Sequence, residues 1–577
     1  DHLEMLDKQF VNPISPGSTQ SYYFELQDTI YQGVDSIFVI AFQPRKGKTF
    51  TAFKGILSIS TDSYAIQNVI AEPADKVFLH TKFEQSYHKV GSQWFPEALR
   101  FTITNEKYPN KYLGLQIQGQ TYISEAAINP ALSNKDFTNY AYEFAENAFD
   151  KSPETWEKVR PEAISDKSAT TYQFLDSIGQ KINLDRKINR FTQFSLGRYQ
   201  VGKFDLLLDR LLRFNNFEGT RLGLGIGTNL STFDKWSASA YAGYGFKNGA
   251  WQYGGDIRWW TDKKNNAFAR IYYDKDLEQP GFIQLNALTE GFISRNFYAD
   301  LMDQYEKIGI SYQATTWKYL QWSIGFEAQR RQPLYEYNFS RDFNEGPSFI
   351  FRTSAAKLGL RYAFGESFVP ILSQRLSQGT DYPIAQLNYE RGFKNVFDGE
   401  FNYHKLIFGV EHEFRMRKFG AVEYRLELGY IDGNLPYNLL FVSSGVGVNG
   451  QDFWVRNAFQ TMDLYEFLSD QFLHLFFRYE IGNLFWRKPY SQPTFSLIHN
   501  VAIGSLQQPE VHQDISFNTI EKGYTEVGLL AEHLIRIPYV NFAYLTLGGA
   551  VFYRYGAYHR EVERDNIAYR LVMDFQF

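Results

Sequence analysis

The sequence predicts an all-β protein: a 16-stranded transmembrane antiparallel β-barrel preceded by a periplasmic curved antiparallel β domain and a short helical connector. Three observations predict this fold: strict apolar and polar alternation at the C-terminus, about 16 amphipathic segments of roughly ten residues each, and long connections that alternate with short ones. We expect the β domain over residues 1–135, the connector over 136–190 and the barrel over 191–577.

The C-terminal segment shows the alternation most clearly. We expect its apolar residues on one face, against lipid: Tyr569, Leu571, Met573, Phe575 and Phe577. The residues between them are mostly polar and would face a wet lumen. A period of two is typical of a strand, and a transmembrane barrel strand needs two faces of this kind. The edge strand of a soluble sheet would give the same pattern, so the rest of the chain has to decide.

Composition supports a barrel and excludes other classes. Aromatic residues make up 18% of the chain, which suits aromatic girdles at two membrane interfaces. The mean hydropathy is −0.38, and no long apolar run predicts a transmembrane helix. The net charge of −5 gives no reason to expect nucleic acid, and the lack of cysteine excludes disulfides. The chain begins at Asp1, so we expect a processed or partial chain that lacks its targeting segment.

Residues 1–135 predict a strongly curved antiparallel meander outside the membrane. Strand-like runs separated by turn residues lie at 21–26, 36–42, 50–60, 64–71, 77–87, 98–104 and 112–123. The pattern Phe42-Gln43-Pro44-Arg45, Phe53-Lys54-Gly55 and residues 60–65 resembles the half-barrel of periplasmic lipoprotein-carrier-like domains. The resemblance implies a sheet that could hold an acyl chain or a peptide. A packing or docking module is the alternative. In the connector, the spacing of Tyr172, Leu175 and Ile178 predicts a helix over 168–181.

Amphipathic strands then recur to the end of the chain. We place them near 198–209, 221–230, 237–246, 250–260, 266–275, 305–314, 318–328, 354–364, 381–391, 403–416, 420–431, 471–481, 494–506, 523–534, 540–555 and 566–577. Two neighbouring strands carry charges on the face that would line the lumen: Glu411, Glu413, Arg415, Glu423, Arg425 and Glu427. Charges on one face suit a wet lumen, because unpaired charge would destabilise the core of a β-sandwich.

Connection lengths test the barrel independently. We expect long outer loops near 276–304, 329–353, 392–402, 432–470, 507–522 and 556–565. The connections between them are mostly short, with 365–380 and 482–493 as exceptions, and the outer loop at 247–249 is short as well. This phase places both ends of the barrel on the periplasmic side.

The longest outer loop, about 432–470, is rich in aromatic residues that a solvated loop would not need. We expect it to fold back into the lumen, with Arg456 paired to a lumen carboxylate. Its candidate site residues are Trp454, Val455, Arg456, Phe459, Glu466 and Asp470. A sixth outer loop with a Val-Arg-Gly-Phe motif is the pattern of the outer-membrane insertase and two-partner-secretion superfamily of BamA and TamA, which the chain resembles. Val455, Arg456 and Phe459 match that motif, whereas its Gly is absent and Asn457-Ala458 intervenes.

A closer resemblance covers nearly the whole chain. It is to uncharacterised outer-membrane proteins that carry a carboxypeptidase-regulatory-like domain before a barrel of unknown function. It rests on Trp156, Arg160-Pro161, Asn216, Glu218-Gly219, Arg221, Glu466-Phe467, Ser469-Asp470 and Phe552-Tyr553-Arg554-Tyr555-Gly556. The resemblance implies that the regulatory-like domain would lie upstream of Asp1. It implies an outer-membrane address and this architecture, but no activity.

No catalytic, metal or cofactor motif stands in a suitable context. Residues 445–450 match G-x-G-x-x-G, but they fall in an outer loop of an antiparallel protein and not in a βαβ unit. In Glu411-His412-Glu413 the two carboxylates would face the lumen and His412 would face away. A TonB-dependent transporter would need more strands and a compact plug.

We therefore expect a non-enzymatic, insertase-like outer-membrane barrel that acts in assembly or export of outer-membrane proteins or surface lipoproteins. Its expected partners are outer-membrane lipid and subunits of an insertase, secretion or nutrient-uptake complex, with no nucleic acid and no cofactor. A passive pore and a scaffold in a larger surface complex are the alternatives.

Overall fold

The computed structural model describes residues 2–576 apart from 6–7, 34, 47–49, 75–79, 111–112, 134–135, 143–150, 161–165, 230–232, 234, 284, 286–298, 341–348, 372–373, 417–419, 448–451, 487, 489 and 540–542. Strands dominate it, as predicted. Three helices link an N-terminal sheet to a larger one. None of the helices in the described part is long and apolar enough to cross a membrane.

The N-terminal region is an antiparallel meander whose strands pair in chain order, which confirms the predicted strand pairing. A hairpin of β1 (His2–Met5) and β2 (Lys8–Val11) precedes it. The sheet contains β3 (Tyr22–Gln32), β4 (Asp35–Pro44), β5 (Phe53–Ser60), β6 (Ile66–Pro73), β7 (His80–Val90), β8 (Gln93–Asn110) and β9 (Leu113–Tyr122).

One face of this sheet is a small core closed by the hairpin. Tyr22 is fully buried, donates its hydroxyl proton to the Val11 carbonyl and accepts a hydrogen bond from the Phe53 amide. Burial raises the pKa of Tyr22 to about 12. The opposite face carries a cavity of about 440 Å³. This cavity lies beside Gly55, where an added Cβ would come within 1.9 Å of the Ile70 carbonyl oxygen.

The connector contains the helices α1 (Pro153–Val159), α2 (Asp166–Ile182) and α3 (Leu184–Ser195). Helix α2 contains the predicted helix over 168–181. Helix α3 was not predicted. Gly197, with a φ of 73°, ends it and turns the chain into the first strand.

The barrel region supplies the remaining strands: β10 (Arg198–Val201), β11 (Phe204–Leu207), β12 (Leu212–Asn215), β13 (Gly219–Thr228), β14 (Trp236–Gly245), β15 (Ala250–Asp262), β16 (Ala267–Glu278), β17 (Asp303–Thr316), β18 (Leu320–Pro333), β19 (Asn338–Phe339), β20 (Phe351–Ala363), β21 (Phe368–Ile371), β22 (Gln374–Ser377), β23 (Ile384–Gly392), β24 (Tyr403–Met416), β25 (Gly420–Asp432), β26 (Phe441–Val442), β27 (Leu468–Ser469), β28 (Gln471–Gly482), β29 (Thr494–Ser505), β30 (His512–Gln513), β31 (Tyr524–Tyr539), β32 (Ala543–Gly556) and β33 (Ile567–Gln576).

Eighteen of these strands form one antiparallel sheet in chain order, and only β19, β21, β22, β26, β27 and β30 lie outside it. Strands β11 and β12 pair end to end with β13 and make one crossing, while β10 is a short arm on β11. With β11 and β12 taken together and β10 left out, the sheet makes 16 crossings, which confirms the predicted number.

The predicted first strand, 198–209, is wrong in detail. Gly202 adopts a φ of 64° and reverses the chain between β10 and β11, so the predicted strand is a hairpin. The first crossing instead runs from Phe204 to Asn215, interrupted by a 3₁₀ turn over Leu208–Arg210. A glycine with positive φ permits a two-residue turn that the alternation alone could not reveal.

The two ends of the barrel differ in their connections, as predicted. We call the end where Phe204 and Gln576 lie the turn end and the opposite end the loop end. The long connections 279–302, 334–350, 433–470 and 506–523 lie at the loop end. The turn-end exception at 364–383 is also present, and it folds into the β21–β22 hairpin.

The outward face of the sheet is apolar. Leu222, Leu224 and Ile226 of β13 are each about half exposed, whereas the alternate residue Arg221 is buried. Arg221 makes a two-pronged ion pair with Glu218 and also reaches Asp276, with the closest contacts at 2.7 Å. The sheet therefore carries its exposed apolar surface outside and its paired charges inside, as a barrel strand in lipid requires.

Candidate functional site

The 433–470 segment, which we call the lumen loop, lies against the inward face of the last strands. Phe459, Met462 and Phe467 in it are fully buried. The ring of Phe459 packs 4.9 Å from Phe476 of β28 and 5.4 Å from Tyr524 of β31. The loop thus fills the loop-end half of the lumen with a packed apolar core.

A single buried carboxylate holds the turn of this loop. Glu526 of β31 accepts hydrogen bonds from the backbone amides of Gln460 and Thr461, both at 2.9 Å. It also accepts from the Thr461 hydroxyl at 2.7 Å and from the Asn500 amide at 2.8 Å. The sequence analysis missed Glu526. The sequence did carry a signal, because Glu526 is an acidic residue on the same inward face of β31 as Tyr524 and Leu530. All three residues are buried.

Arginines from the last two strands hold the loop from the other side. Arg570 of β33 donates to the carbonyls of Gly447 and Gln460 at 2.6 and 2.5 Å. Arg554 of β32 makes a two-pronged pair with Glu466, with contacts of 2.7 and 3.1 Å. Two residues on which the family resemblance rested, Glu466 and Arg554, therefore bind each other across the lumen.

Arg456 lies apart from these contacts, against two of the predicted lumen carboxylates. Its guanidinium is 2.7 Å from Glu423 and 3.9 Å from Glu413, and its side chain is 47% exposed. Trp454 stacks under Arg478 at 5.6 Å from ring centroid to guanidinium carbon. Val455 packs on a small buried cluster of Val446 and Ala458.

The other predicted lumen charges pair among themselves. Arg425 lies 2.6 Å from Glu427 and 3.6 Å from Glu411, and Arg415 lies 3.2 Å from Glu413. His412 faces the other way, against the ring of Tyr424. The carboxylate of Asp470, also a predicted site residue, accepts a hydrogen bond at 2.8 Å from the amide of Gln507, which lies just beyond the end of β29. The predicted site residues therefore fall into separate groups and do not form one reactive cluster.

Among the described residues, the gap between the lumen loop and the strands beside it is small. The gap beside Trp454, Arg456 and Phe476 has a volume of about 30 Å³, which is the share of one water molecule. Within the described residues, no group of three or more His, Asp or Glu side chains is placed to hold a metal ion. Of the predicted G-x-G-x-x-G, residues 448–450 lie outside the described part, and Gly445 forms a bridge with Phe459.

The turn-end half of the lumen is different, because it encloses a cavity of about 890 Å³. Its lining includes two acidic residues, Asp256 and Glu366, and these cationic ones: Arg198, Arg258, Lys263, Lys264, Lys318, Arg361 and Arg375. Arg375 of the β21–β22 hairpin donates to the Thr315 hydroxyl at 2.9 Å, and burial lowers its pKa. The connector closes part of this mouth, where the Tyr140 hydroxyl donates to the Lys264 carbonyl at 3.1 Å.

The junction between the first and last strands is the least regular part of the sheet. Among the described residues, no ladder joins β33 to β10, β11 or β12. The free edge of β33 instead pairs with the lumen loop: Leu571 donates to the Asp452 carbonyl at 2.6 Å and accepts from the Trp454 amide at 2.8 Å. The free edge of β11 is covered by the arm β10. Part of each edge of the junction is therefore occupied by a short segment of the chain itself.

The C-terminal residues predicted to face lipid lie along this junction. The side chains of Tyr569, Leu571, Met573 and Phe575 are between 42% and 73% exposed. Phe577 lies outside the described residues. An apolar, exposed stripe along a strand whose far edge is only partly paired is the main surface feature of the site.

Comparison with known proteins identifies a family and two similar structures. A family model described as "Family of unknown function (DUF5686) C-terminal domain" matches residues 192–490. A second model, described as "Family of unknown function (DUF5686)", matches residues 1–126. The chain is similar to BamA from Haemophilus ducreyi lacking POTRA domains 1-3, with 9% identity over 63% of this chain and 69% of that one, at a TM-score of 0.40. It is also similar to CdiB from Acinetobacter baumannii, with 11% identity over 66% of this chain and 61% of that one, at a TM-score of 0.35. No curated protein sequence matches the chain.

Proposed function

The chain belongs to the family of unknown function DUF5686, and from its geometry we propose that it is a non-enzymatic outer-membrane barrel that acts in the assembly or export of outer-membrane proteins or surface lipoproteins. The turn end would face the periplasm and carry the N-terminal sheet there. The observation that carries the proposal is the junction. There the outer edge of β33 contacts the lumen loop, and among the described residues it pairs with no strand of the barrel.

An open strand edge is a template for another strand, and in lipid it is costly to leave unpaired. The lumen loop covers the edge of β33 through one bridge, between Phe453 and Leu571. Such a short contact can be exchanged for a longer one with a client strand, whose backbone would then pair along β33. On the first-strand side of the junction, the arm β10 pairs with β11 through four residues, and a client strand could displace it there.

A reversible disulfide that locks the lumen loop onto β33 tests this proposal. The chain has no cysteine, so Phe453→Cys with Leu571→Cys creates one possible disulfide between two bridge partners. Oxidised cells that carry only this variant should lose the outer-membrane proteins or surface lipoproteins that depend on the barrel, as measured by quantitative proteomics of the membrane fraction. Reductant should restore them, and either single cysteine variant should behave as the wild type.

A membrane composition that is unchanged under oxidation, with the disulfide verified by mass spectrometry, would show that this edge is not used. A passive pore is the rival function, since the turn-end cavity is wide and cationic. It predicts a steady conductance in planar bilayers that the lock leaves unchanged, whereas the buried Phe459 and Phe467 predict a closed lumen. Purification in gentle detergent with mass spectrometry tests the scaffold alternative. Recovery in a stable complex, together with full function of the locked variant, would favour it.

A further inference from the structure

Helix α3 presents an exposed apolar stripe beside the junction. Leu184, Ile188, Phe191 and Phe194 are 42%, 53%, 73% and 60% exposed. Steps of four, three and three residues place all four side chains on one helix face. A helix of a water-soluble domain would bury such a face in its core, so the exposure needs an explanation from the surroundings of the helix.

Those surroundings are the lipid-facing surface of the barrel. The Gln193 amide donates to Gln200 of β10 at 3.3 Å, and the Leu208 amide donates to the Gly197 carbonyl at 2.8 Å. These contacts hold the C-terminal end of α3 beside the first strand crossing of the sheet. The apolar stripe of α3 is then continued along the chain by exposed apolar residues of β10 and β11: Tyr199, Val201 and Phe204.

The rest of the helix is basic. Arg186, Lys187 and Arg190 are exposed, and Asp185 is the only acidic residue of α3. Within the described part of the chain, none of the three basic side chains forms an ion pair. On a helical projection Arg186 lies opposite the apolar stripe, Arg190 lies at its border, and Lys187 lies within its arc, from which its long side chain can extend to the headgroups. An apolar face with a basic counterpart matches the boundary between acyl chains and anionic headgroups.

We propose that α3 is a membrane-interface helix that lies in the turn-end leaflet and binds its anionic phospholipid headgroups. It holds the connector against the bilayer next to the junction. The inference requires that the barrel lies in a membrane, but it does not depend on the proposed assembly role. Lipid covers the stripe, because the stripe continues the lipid-facing surface of the barrel and the basic residues of α3 complement anionic headgroups.

Site-directed spin labelling of the full chain in lipid nanodiscs tests this placement. Because the chain has no cysteine, Phe191→Cys and Asn189→Cys each give one label, on the apolar face and on the polar face of the same helix. The label at position 191 should be reached by oxygen and shielded from a water-soluble nickel complex, with an oxygen-to-nickel accessibility ratio several-fold above that at position 189. Equal, aqueous accessibility at both positions would overturn the proposal. A label at position 191 that is shielded from both reagents would show a protein contact and would also overturn it.

Headgroup charge supplies the second test. In nanodiscs of phosphatidylcholine with phosphatidylglycerol, the label at position 191 should lie deeper than in phosphatidylcholine alone. The double substitution Arg186→Gln with Arg190→Gln should abolish this difference, whereas the matched pair Lys151→Gln with Lys158→Gln, on exposed connector positions, should keep it. The same depth in both lipids for the unsubstituted helix would refute the anionic preference.

Discussion

The loop-end half of the lumen is packed like a protein core, whereas the turn-end half encloses a cationic cavity of about 890 Å³. The same strands pass through both halves with the same alternation of outward and inward residues. The difference comes from the connections. At the loop end, 433–470 brings buried Phe459, Met462 and Phe467 between the strands. At the turn end, the β21–β22 hairpin and the connector near Tyr140 are the described segments that reach the mouth of the cavity.

This comparison shows how a barrel can be closed on one side without a separate plug domain. A loop inside a lumen has to satisfy its backbone amides and carbonyls, and the short pairing of β26 with β27 satisfies few of those in the lumen loop. The strands provide this through single buried charges, Glu526 for amides and Arg570 for carbonyls. In the described part of the turn end no loop of this length fills the lumen, and the inward charges line a cavity.

Removing Glu526 should have the largest effect on the packed half. In Glu526→Ala, the Gln460 and Thr461 amides and the Asn500 side chain lose their buried acceptor. We expect a loss of about 3 to 5 kcal/mol in the free energy of unfolding, because each buried donor left without an acceptor costs about 1 to 3 kcal/mol. Thermal unfolding of the purified barrel in detergent measures it, and Glu521→Ala at an exposed loop position is the control. Equal melting temperatures for the two variants would show that the loop is held without this carboxylate.

Acidification should weaken the packed half by a smaller amount. His512 of β30 is buried against Phe339, its Nδ1 lies 2.9 Å from the Tyr337 hydroxyl, and burial lowers its pKa to about 4. The unfolded chain binds this proton near pH 6.5, so stability is complete above that pH and falls as the pH drops toward 4. The loss should approach about 3 kcal/mol at the lower limit. Melting temperatures across this range measure it, and His512→Phe should remove this part of the pH dependence. A pH profile unaltered by that substitution would assign the effect to other groups.

Removing Arg456 should have the smallest effect, although it is the residue that the sequence motif emphasises. The Arg456 side chain is about half exposed in its pairs with Glu423 and Glu413, so Arg456→Ala should cost about 1 kcal/mol or less. The same melting experiment measures it, with Arg415→Ala as a matched control, since Arg415 also pairs with Glu413. A loss as large as that in Glu526→Ala would reverse the ranking of the loop contacts. A loss of assembly function with normal stability would give Arg456 a role beyond packing.

Much of the fold could be predicted from the sequence because the lipid and the lumen impose a local pattern. Leu222, Leu224 and Ile226 alternate with Arg221 and glycines, and this alternation alone assigns both faces of β13. The alternation of long and short connections then indicated at which end of the barrel each strand begins. The hairpin at Gly202 escaped prediction, because one glycine with positive φ reverses a strand without disturbing the alternation on either side.

The site was less accessible to sequence reasoning. The sequence by itself determined which residues face lipid, which face the lumen and which loop is too aromatic to be solvated, because these properties depend on neighbours within a few residues. Only the tertiary structure decided that Glu526 and Arg554 hold that loop and that Leu571 pairs with Asp452 and Trp454. These partners lie between 65 and 119 positions apart along the chain. They meet because the sheet curves on itself, and no local pattern encodes which side chains then come into contact.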